Sequence, residues 1–379
     1  MIYLDHAATT PVRPEVRAAM EPVWAERFGN PSSVHAAGRV ARALVDEARD
    51  TVARCLDCRP DEIVFTSGGT EADHLALVGS FLARRDEGRT HLITTAVEHH
   101  AVLETAELLQ SLGAEVTVLP VDGEGCVDPD DVRRAIRRET FLVSVIAANN
   151  EIGTLAPLAE ISAICREAGV PLHTDAVQAI GAVPLTPQSP PVDLLSLSAH
   201  KFYGPKGAGV LFVRKGTPLR AVIRGGGQER RRRGGTENVA AIVGLARALE
   251  LALAERPTEA PRQAALRDRL VARIEATIPG AVLNGPRGDR RLPNNVNFSW
   301  PGLESEMLLL ALDLEGVCAS SGSACTAGAV EPSHVVMAIS GDHARAISPV
   351  RLTLGRETTE AEVDAAAEIL RRVVARLRG

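Results

Sequence analysis

The sequence has no excess of positive charge. Its 42 lysine and arginine residues are outnumbered by 48 aspartate and glutamate residues, so the formal net charge is −6. A protein whose whole surface binds nucleic acid or anionic lipid usually has a strong positive balance. We therefore expect no direct contact with nucleic acid beyond a local patch.

Long hydrophobic runs are also missing. No stretch approaches the ~20 consecutive apolar residues that a membrane span requires. The first six residues, Met1-Ile2-Tyr3-Leu4-Asp5-His6, already include polar side chains. We expect a soluble protein with no targeting segment and no membrane contact.

Cysteine is too sparse for a disulfide framework. Six cysteines in 379 residues do not resemble a small secreted domain, so we expect a reducing, cytoplasmic setting. Cys55 and Cys58 have the spacing of a redox or zinc pair, but no second pair of this kind follows. Because structural zinc sites use four ligands, we predict no metal site.

What the sequence does have is enough apolar residues for a large core. With 45% hydrophobic residues over 379 positions, it can form one large domain and a smaller one, because single cores stop growing at ~250–300 residues. We find no internal repeat and no low-complexity linker. We predict a large domain at 15–254, and a small domain formed by 1–14 and 255–379.

The region from Ile63 to Val213 has an α/β pattern, in which short apolar runs alternate with helical periodicity. Runs with little polar alternation, such as Phe141–Ile146, are typical of strands buried on both faces of a mostly parallel sheet. After about Glu255 the pattern changes to α+β, with a long polar helix at Glu259–Thr277 and a terminal helix at Thr359–Arg378. The predicted strands of the first region are His91–Ala96, Glu115–Val121, Phe141–Ala148, Val170–Thr174, Leu194–Ser198 and Gly209–Val213.

Lys201 follows one of these buried strands, in the segment Ser196–Gly207. An amine at a desolvated strand end can form a Schiff base with the aldehyde of a cofactor. An ordinary surface lysine in a loop is the alternative. Taken with the segments below, the Schiff-base lysine is the better interpretation.

Asp175 lies at the end of another apolar strand, where open α/β sheets bind their ligands. A pyridoxal ring acts as an electron sink only while its nitrogen is protonated, and a carboxylate such as Asp175 keeps it so. Gln178, one helical turn later, could hydrogen-bond the ring hydroxyl. A simple helix N-cap is the alternative for Asp175.

The segment Phe65–Ala72 breaks a strand at Gly68-Gly69 and starts a helix near Thr70. Glycines let the backbone approach a phosphate, and a helix N-terminus offers unpaired N–H groups to it. A tight turn is the alternative, and the Gly-Lys-Ser/Thr ending of a P-loop is absent. Alone, this segment is weak evidence for a phosphate site. Together with Lys201 and Asp175, it becomes informative.

Together these segments resemble the cysteine desulfurases of the NifS/IscS-like class, which belong to the class-V aminotransferase family. The resemblance covers nearly the whole chain. It includes Tyr3–Thr10, Gly29–Ser33, Glu98–His100, Asn149–Gly153, Gly234–Asn238, Ser321–Cys325 and Arg351–Arg356. It implies an α/β enzyme of the aspartate-aminotransferase type (fold type I), with a mostly parallel seven-stranded sheet in the large domain and a small α+β domain.

The resemblance also implies a role for each matching residue. Pyridoxal 5'-phosphate would be bound covalently by Lys201, and L-cysteine would be gripped by Arg351 and Asn30. His99 would stack on the ring and move protons, and Thr236 would reach the phosphate in the partner subunit of a homodimer. The remaining cofactor-binding residues would be Gly69, Thr70, Asn150, Asp175, Gln178, Ser198 and His200.

Cys325 follows a stretch of small residues, Ala319–Ser323, that cannot pack a core. We expect its thiol on an exposed loop, where it can attack the substrate sulfur. The implied reaction converts L-cysteine to L-alanine and leaves a persulfide on Cys325. The sulfur would then pass to an acceptor protein, either an iron–sulfur scaffold or a tRNA-thiolation relay protein.

The sequence departs from the family pattern in two places. The family usually has glycine where Arg231 stands, and the run Arg230–Arg233 is interpreted as a solvated or dimer-edge stretch with partner docking as the alternative. Ile339–His343 is more polar than the family leads one to expect.

Three other functions remain as alternatives to this hypothesis. They are an aminotransferase, a selenocysteine lyase, and a non-catalytic platform for scaffold proteins.

Overall fold

The computed structural model describes residues 1–322 and 331–379. Cys325 therefore lies outside the described residues. The strands are β1 (Ile2–Tyr3), β2 (Ile63–Thr66), β3 (His91–Thr95), β4 (Glu115–Leu119), β5 (Thr140–Ser144), β6 (Leu172–Asp175), β7 (Leu194–Ser198), β8 (Gly209–Val213), β9 (Val282–Leu283), β10 (Asn295–Ser299), β11 (Val317–Cys318) and β12 (Pro349–Thr353). The helices are α1 (Pro14–Ala25), α2 (Ala36–Cys55), α3 (Gly69–Arg84), α4 (His100–Ser111), α5 (Pro129–Ala135), α6 (Leu158–Ala168), α7 (Val239–Thr277), α8 (Ser305–Leu314), α9 (His334–Ser340), α10 (His343–Ala346) and α11 (Glu360–Arg378).

The largest sheet has seven strands in the order β2-β8-β7-β6-β5-β3-β4. Strand β8 runs antiparallel to both its neighbours, and the other strand pairs are parallel. Every residue of β5, β7 and β8 is buried, because helices cover both faces of the sheet. The predicted α/β class with a mostly parallel seven-stranded sheet is confirmed.

Two apolar layers enclose this sheet. On one face, Leu75, Phe81 and Leu109 from α3 and α4 pack against sheet residues such as Leu142. On the other, α1, α2, α6 and α7 contribute to a larger cluster that includes Val45 and Leu245. Both faces of the sheet are thereby packed against helices, which leaves its carboxyl edge available for a site.

A second core lies around the antiparallel sheet β9-β10-β12. Phe298 and Trp300 pack there with Leu270 of α7 and Leu370 of α11. Leu4 joins this core, because β1 pairs in parallel with β11. The N-terminal residues therefore pack with the C-terminal part of the chain.

Helix α7 is longer than the sequence predicts. It begins at Val239, where the Asn238 side chain accepts from the Ala241 N–H, and it continues through Pro257 and Pro261 to Thr277. Proline removes a helical hydrogen bond, which is why the sequence favours a start after Pro257; Pro261 already lies inside the predicted helix Glu259–Thr277. The first part packs in the larger core and the last part in the second. The predicted boundary at 254/255 lies inside this helix, and the domain division remains a prediction.

No helix within residues 1–322 and 331–379 is both long enough and apolar enough to cross a membrane.

Candidate active site

The carboxyl ends of β2, β3, β5, β6 and β7 lie along one edge of the large sheet, and a cavity of about 400 Å³ opens beside them. Ten predicted site residues line it: Gly69, Thr70, His99, Asn150, Asp175, Gln178, Ser198, His200, Lys201 and Arg351. Two others, Asn30 and Thr236, are exposed and do not belong to this lining. The sheet therefore brings together residues from distant parts of the sequence, as ligand sites of open α/β sheets do.

Lys201 lies just beyond the end of β7. Its Nζ donates hydrogen bonds to the carbonyl oxygens of Ala7, at 2.6 Å, and Ala8, at 3.0 Å. Burial lowers the pKa of this amine to about 8, and the positive charge of Arg351 acts in the same direction. Near neutral pH a larger fraction of this amine is uncharged than in an ordinary lysine, which makes it a better nucleophile.

Asp175 ends β6 and is buried, with Oδ1 accepting from the Val177 N–H at 2.9 Å. Burial raises the pKa of Asp175 to about 6, against the opposing effect of Lys201. Asp73 of α3 lines the same cavity, and burial followed by the charge of Asp175 raises its pKa as well. Two buried carboxyl groups therefore line the cavity, and a positively charged group beside them would stabilise their ionised forms.

The start of α3 also lines the cavity, through Gly69 and Thr70. A Cβ atom on Gly69 would lie 2.8 Å from Cγ2 of Val177, so only glycine fits there. Glu71, in the first turn, accepts from the Ser67 N–H at 2.8 Å and pairs with Arg233 at 2.8 Å. The first N–H groups of a helix lack helical partners and attract anions such as phosphate.

Two of the predicted site residues that line the cavity are histidines, and hydrogen bonds orient their rings. Nδ1 of His99 accepts from the Ala101 N–H at 3.0 Å, so Nε2 carries the hydrogen in the neutral ring. Although His99 keeps an exposed face, desolvation of its ring and then the charge of Lys201 lower its pKa to about 4. Nδ1 of His200 lies 3.2 Å from Oγ1 of Thr9, and desolvation lowers the pKa of His200 to about 4. Both rings are uncharged at neutral pH.

Arg351 projects from β12, and only 4% of its side chain is exposed. Nη2 donates to Oδ1 of Asp5 at 2.9 Å, and Nη1 donates to the carbonyl oxygen of Asn150 at 2.9 Å. Within the described part of the chain, its buried Nε has no hydrogen-bond partner. The guanidinium group is thus oriented, with a donor still available for a carboxylate.

Several residues of the cavity have no role in the sequence-based prediction. They are Ala7, Ala8, Asp73, His100, Ile146, Glu151, Val177, Ser320, Gly322 and His334. Some belong to motifs that carry the resemblance, such as Tyr3–Thr10 and Asn149–Gly153. The motifs mark these segments as informative, but only the folded chain shows which side chains face the cavity.

The arginine run is solvated only in part, since Arg230 and Arg231 are exposed, and its place at a dimer edge or in partner docking stays a prediction. Arg231 has a φ of 63°, in the left-handed region that favours glycine, and its neighbours Glu229 and Arg230 also have positive φ. Arg232 is half-buried and donates to the Asp61 carbonyl at 3.2 Å, and Arg233 pairs with Glu71. Much of the run is therefore bound within the chain rather than simply solvated.

The residues of the cavity fit pyridoxal phosphate. They offer a desolvated amine for an aldehyde, buried carboxyls for a protonated ring nitrogen, and a glycine-lined helix start for a phosphate. No group of three or more His, Cys, Asp or Glu residues within the described ranges could hold a metal ion. The donor set of the cavity therefore matches this organic cofactor.

Comparisons with known proteins agree with this chemistry. The family model described as aminotransferase class-V matches residues 2–366. The cysteine desulfurase IscS of Dictyoglomus turgidum is 50% identical over 377 residues, covering 100% of this chain and 95% of the relative. The protein of the same name from Clostridium botulinum (strain Hall) is 48% identical over 374 residues, covering 98% and 94% of the two chains.

A solved structure shows the same fold over the full length. The structure, described as a NifS-like protein, superposes with a TM-score of 0.92 at 37% identity and covers 99% of both chains. The chain thus belongs to the class-V aminotransferase family of pyridoxal-phosphate enzymes, and within it to the NifS- and IscS-like cysteine desulfurases.

Proposed function

We propose that this protein is a pyridoxal-phosphate-dependent cysteine desulfurase, which converts L-cysteine to L-alanine and transfers the sulfur to Cys325 as a persulfide. The observation that carries the proposal is the meeting of Lys201, Asp175 and Arg351 in one cavity. These residues supply a nucleophilic amine, a buried acid and a carboxylate-binding cation. Full-length similarity to proteins named cysteine desulfurase supports the same activity.

The cofactor would be held by four sets of residues, each acting on a different part of it. Lys201 would bind it covalently, and Asp175 would pair with its ring nitrogen. The start of α3, with Gly69 and Thr70, would bind the phosphate together with Ser198 and His200. Gln178 and Asn150 would contact the ring. When bound, pyridoxal phosphate supplies an electron sink for the substrate carbon.

The substrate would be oriented by Arg351, whose buried guanidinium group is already fixed by Asp5 and Asn150. As a free amine, Lys201 could accept and return protons at Nζ, since burial lowers its pKa to about 8. Neutral His99 can donate from Nε2 toward the cavity. The role of Asn30 in substrate binding stays a prediction.

Sulfur transfer requires a second nucleophile, and we assign this role to Cys325. Its sulfur forms the new S–S bond while the carbon–sulfur bond of the substrate breaks. The electron pair of the broken bond stays on the three-carbon fragment, which takes up a proton and leaves as alanine. A free thiol of this kind is maintained in a reducing compartment such as the cytoplasm.

We further propose that the chain works as a homodimer and delivers its sulfur to an acceptor protein. Trp24, Phe28 and Val34 are 60%, 75% and 89% exposed, an unusual exposure for large apolar side chains near the N-terminus. A second copy covering them would account for this exposure, and Thr236 would then reach the partner's cofactor phosphate. The acceptor would be an iron–sulfur scaffold or a tRNA-thiolation relay protein.

The experiment that tests the activity uses the purified protein with pyridoxal phosphate and L-cysteine. We expect alanine release and a persulfide on Cys325, detected by mass spectrometry after alkylation. Release of a keto acid would indicate an aminotransferase, and alanine formation from selenocysteine alone would indicate a lyase. A protein that binds no cofactor would be a non-catalytic platform.

A further inference from the structure

Tyr203, two residues after Lys201, has a backbone conformation that is unusual for its residue type. Its φ is 66°, in the left-handed region that favours glycine. The turn closes on the carbonyl oxygen of Ala199, which accepts from the N–H groups of Phe202, at 3.1 Å, and Gly204, at 2.9 Å. Strained residues of this kind cluster at functional sites and persist only where surrounding contacts offset the strain.

The N-terminal segment binds both backbone polar groups of Tyr203. The Tyr203 N–H donates to Oγ1 of Thr10 at 2.7 Å, and its carbonyl accepts from the Arg13 N–H at 3.2 Å. Thr10 also holds the residue before Lys201, because its hydroxyl donates to the His200 carbonyl at 2.9 Å and its N–H donates to the same oxygen at 3.0 Å. Thr10, which is buried, therefore fixes the chain on both sides of Lys201.

The phenol of Tyr203 reaches a different part of the molecule. Its oxygen accepts from the Arg356 N–H at 2.7 Å. Arg356 follows β12, the strand that carries Arg351. Its Nε donates to Glu255 of α7 at 3.1 Å, and Glu255 also pairs with Arg13 at 2.8 Å. The side chain of Arg356 is thus held, which makes its N–H a defined anchor for the phenol.

The amine of Lys201 is bound by the same N-terminal segment. Its Nζ donates to the carbonyl oxygens of Ala7 and Ala8. An uncharged amine has two N–H bonds and one lone pair, so these two contacts can use both hydrogens and leave the lone pair free. The lone pair is the part that attacks an aldehyde carbon. Its direction depends on where the backbone of Lys201 is held.

We propose that Tyr203 is a positioning residue for Lys201. Its left-handed turn fixes the chain around the lysine, and its phenol ties that turn to the segment that follows the Arg351 strand. The amine and the guanidinium group are thereby kept in a fixed spatial relationship. This role rests on the proposed function for the task of Lys201. In that task Nζ bonds to the aldehyde carbon of pyridoxal phosphate and the aldehyde oxygen leaves as water, so no oxidant or reductant is needed.

The test measures how fast Lys201 attaches the cofactor. Full-length protein freed of cofactor is mixed with pyridoxal phosphate, and the absorbance of the attached cofactor is followed with time. In Tyr203→Phe, which loses only the phenol oxygen, we expect attachment to be roughly tenfold slower, because a small displacement of a reacting group is costly. The affinity for pyridoxine phosphate, which has no aldehyde, should equal that of the wild type, since its binding does not use the amine.

Thr358→Val is the matched control. Oγ1 of Thr358 accepts from the Gly355 N–H at 2.9 Å, one residue before Arg356. This variant loses the same kind of hydrogen bond, but between two residues that both follow β12. It should attach the cofactor at the wild-type rate. Thr10→Val, which loses both contacts of the Thr10 hydroxyl, should slow attachment as Tyr203→Phe does.

Equal attachment rates for the wild type and Tyr203→Phe would overturn the proposal. A similar slowing in Thr358→Val, or an equally large loss of affinity for pyridoxine phosphate in Tyr203→Phe, would also contradict it, because the effect would then be a general loosening of the site. If Tyr203→Phe did not fold, slower attachment in Thr10→Val would support the proposal and an unchanged rate would contradict it. A wild-type protein that attaches no pyridoxal phosphate would contradict the proposed function instead.

Discussion

Arg351 and Asp5 form an ion pair of 2.9 Å at the cavity, with the arginine side chain 4% exposed. The residues come from opposite ends of the sequence and meet because β1 and β12 belong to neighbouring parts of the second core. The pair orients the guanidinium group before any substrate arrives. Such preorganisation lowers the cost of binding a carboxylate in the required orientation.

Replacing Arg351 by alanine should weaken L-cysteine binding by about 1.5–3 kcal/mol, the range for a charge-assisted hydrogen bond. The measurement is the KM for L-cysteine. Asp5→Asn is the matched control, since it keeps an acceptor beside Nη2 while the contact to the Asn150 carbonyl remains. Its KM should rise less than that of Arg351→Ala, and an unchanged KM in Arg351→Ala would refute the assigned role.

Replacing Lys201 by alanine should abolish covalent attachment of pyridoxal phosphate. The sequence contains just two other lysines, Lys206 and Lys215, and both are exposed and outside the cavity lining. Borohydride reduction followed by mass spectrometry should find the cofactor on the wild type and on Lys206→Ala. A reduced cofactor adduct on Lys201→Ala would mean that the lysine is wrongly assigned.

The sequence predicts the sheet well, and two of its predicted site residues, Asp175 and Lys201, do line one cavity at the edge of that sheet. Asp175 ends one short, buried strand and Lys201 lies just after another, and the carboxyl ends of such parallel strands meet at one edge of a sheet. Whether Asp5, Glu151 and His334 come close to this edge of the sheet depends on how the second core packs beside the sheet. No periodicity in the sequence encodes that approach. The extent of α7 was mispredicted for a related reason, since packing in two cores offsets the penalty of its prolines.

Replacing Asp175 by asparagine should reduce alanine formation about a hundredfold or more. Removing one partner of a buried ion pair costs ~3–5 kcal/mol, which is the scale of the lost contact to the cofactor ring nitrogen. Glu98→Gln is the matched control, since burial raises the pKa of Glu98 to about 8 and the carboxyl is mostly protonated at pH 7. Glutamine resembles that neutral form and should change the rate little. A similar loss in both variants would point to general disruption of the buried site.

Replacing Arg231 by glycine should stabilise the fold by about 0.5–1 kcal/mol. Its φ of 63° is costly for any residue with a Cβ atom. Urea unfolding of the holoenzyme should show the gain as a higher midpoint with an unchanged slope. Arg233→Gly is the contrasting variant, because Arg233 pairs with Glu71 beside the phosphate end of the cavity. That variant should be less stable than the wild type, and a destabilised Arg231→Gly would show that the arginine side chain contributes more than the backbone strain.

Replacing Cys325 by alanine should separate cofactor chemistry from sulfur transfer. The proposed cofactor contacts come from other residues, chiefly Lys201, Asp175 and the start of α3. The variant should therefore stay yellow and change its absorbance when L-cysteine binds. Without a thiolate to attack the substrate sulfur, single-turnover alanine release should collapse and no persulfide should form.

The pH dependence of the wild type gives the same prediction a second readout. An ordinary cysteine has a pKa of ~8.5, so the thiolate fraction, and with it alanine release, should increase as pH rises toward that value. The absorbance change on binding L-cysteine should keep its own pH dependence in Cys325→Ala, because it needs no thiolate from the protein. Cys318→Ala is the control, since Cys318 pairs in β11 outside the cavity lining. If Cys325→Ala released alanine at the wild-type rate, the substrate sulfur would leave without an enzyme thiol, and the reaction would be that of a lyase.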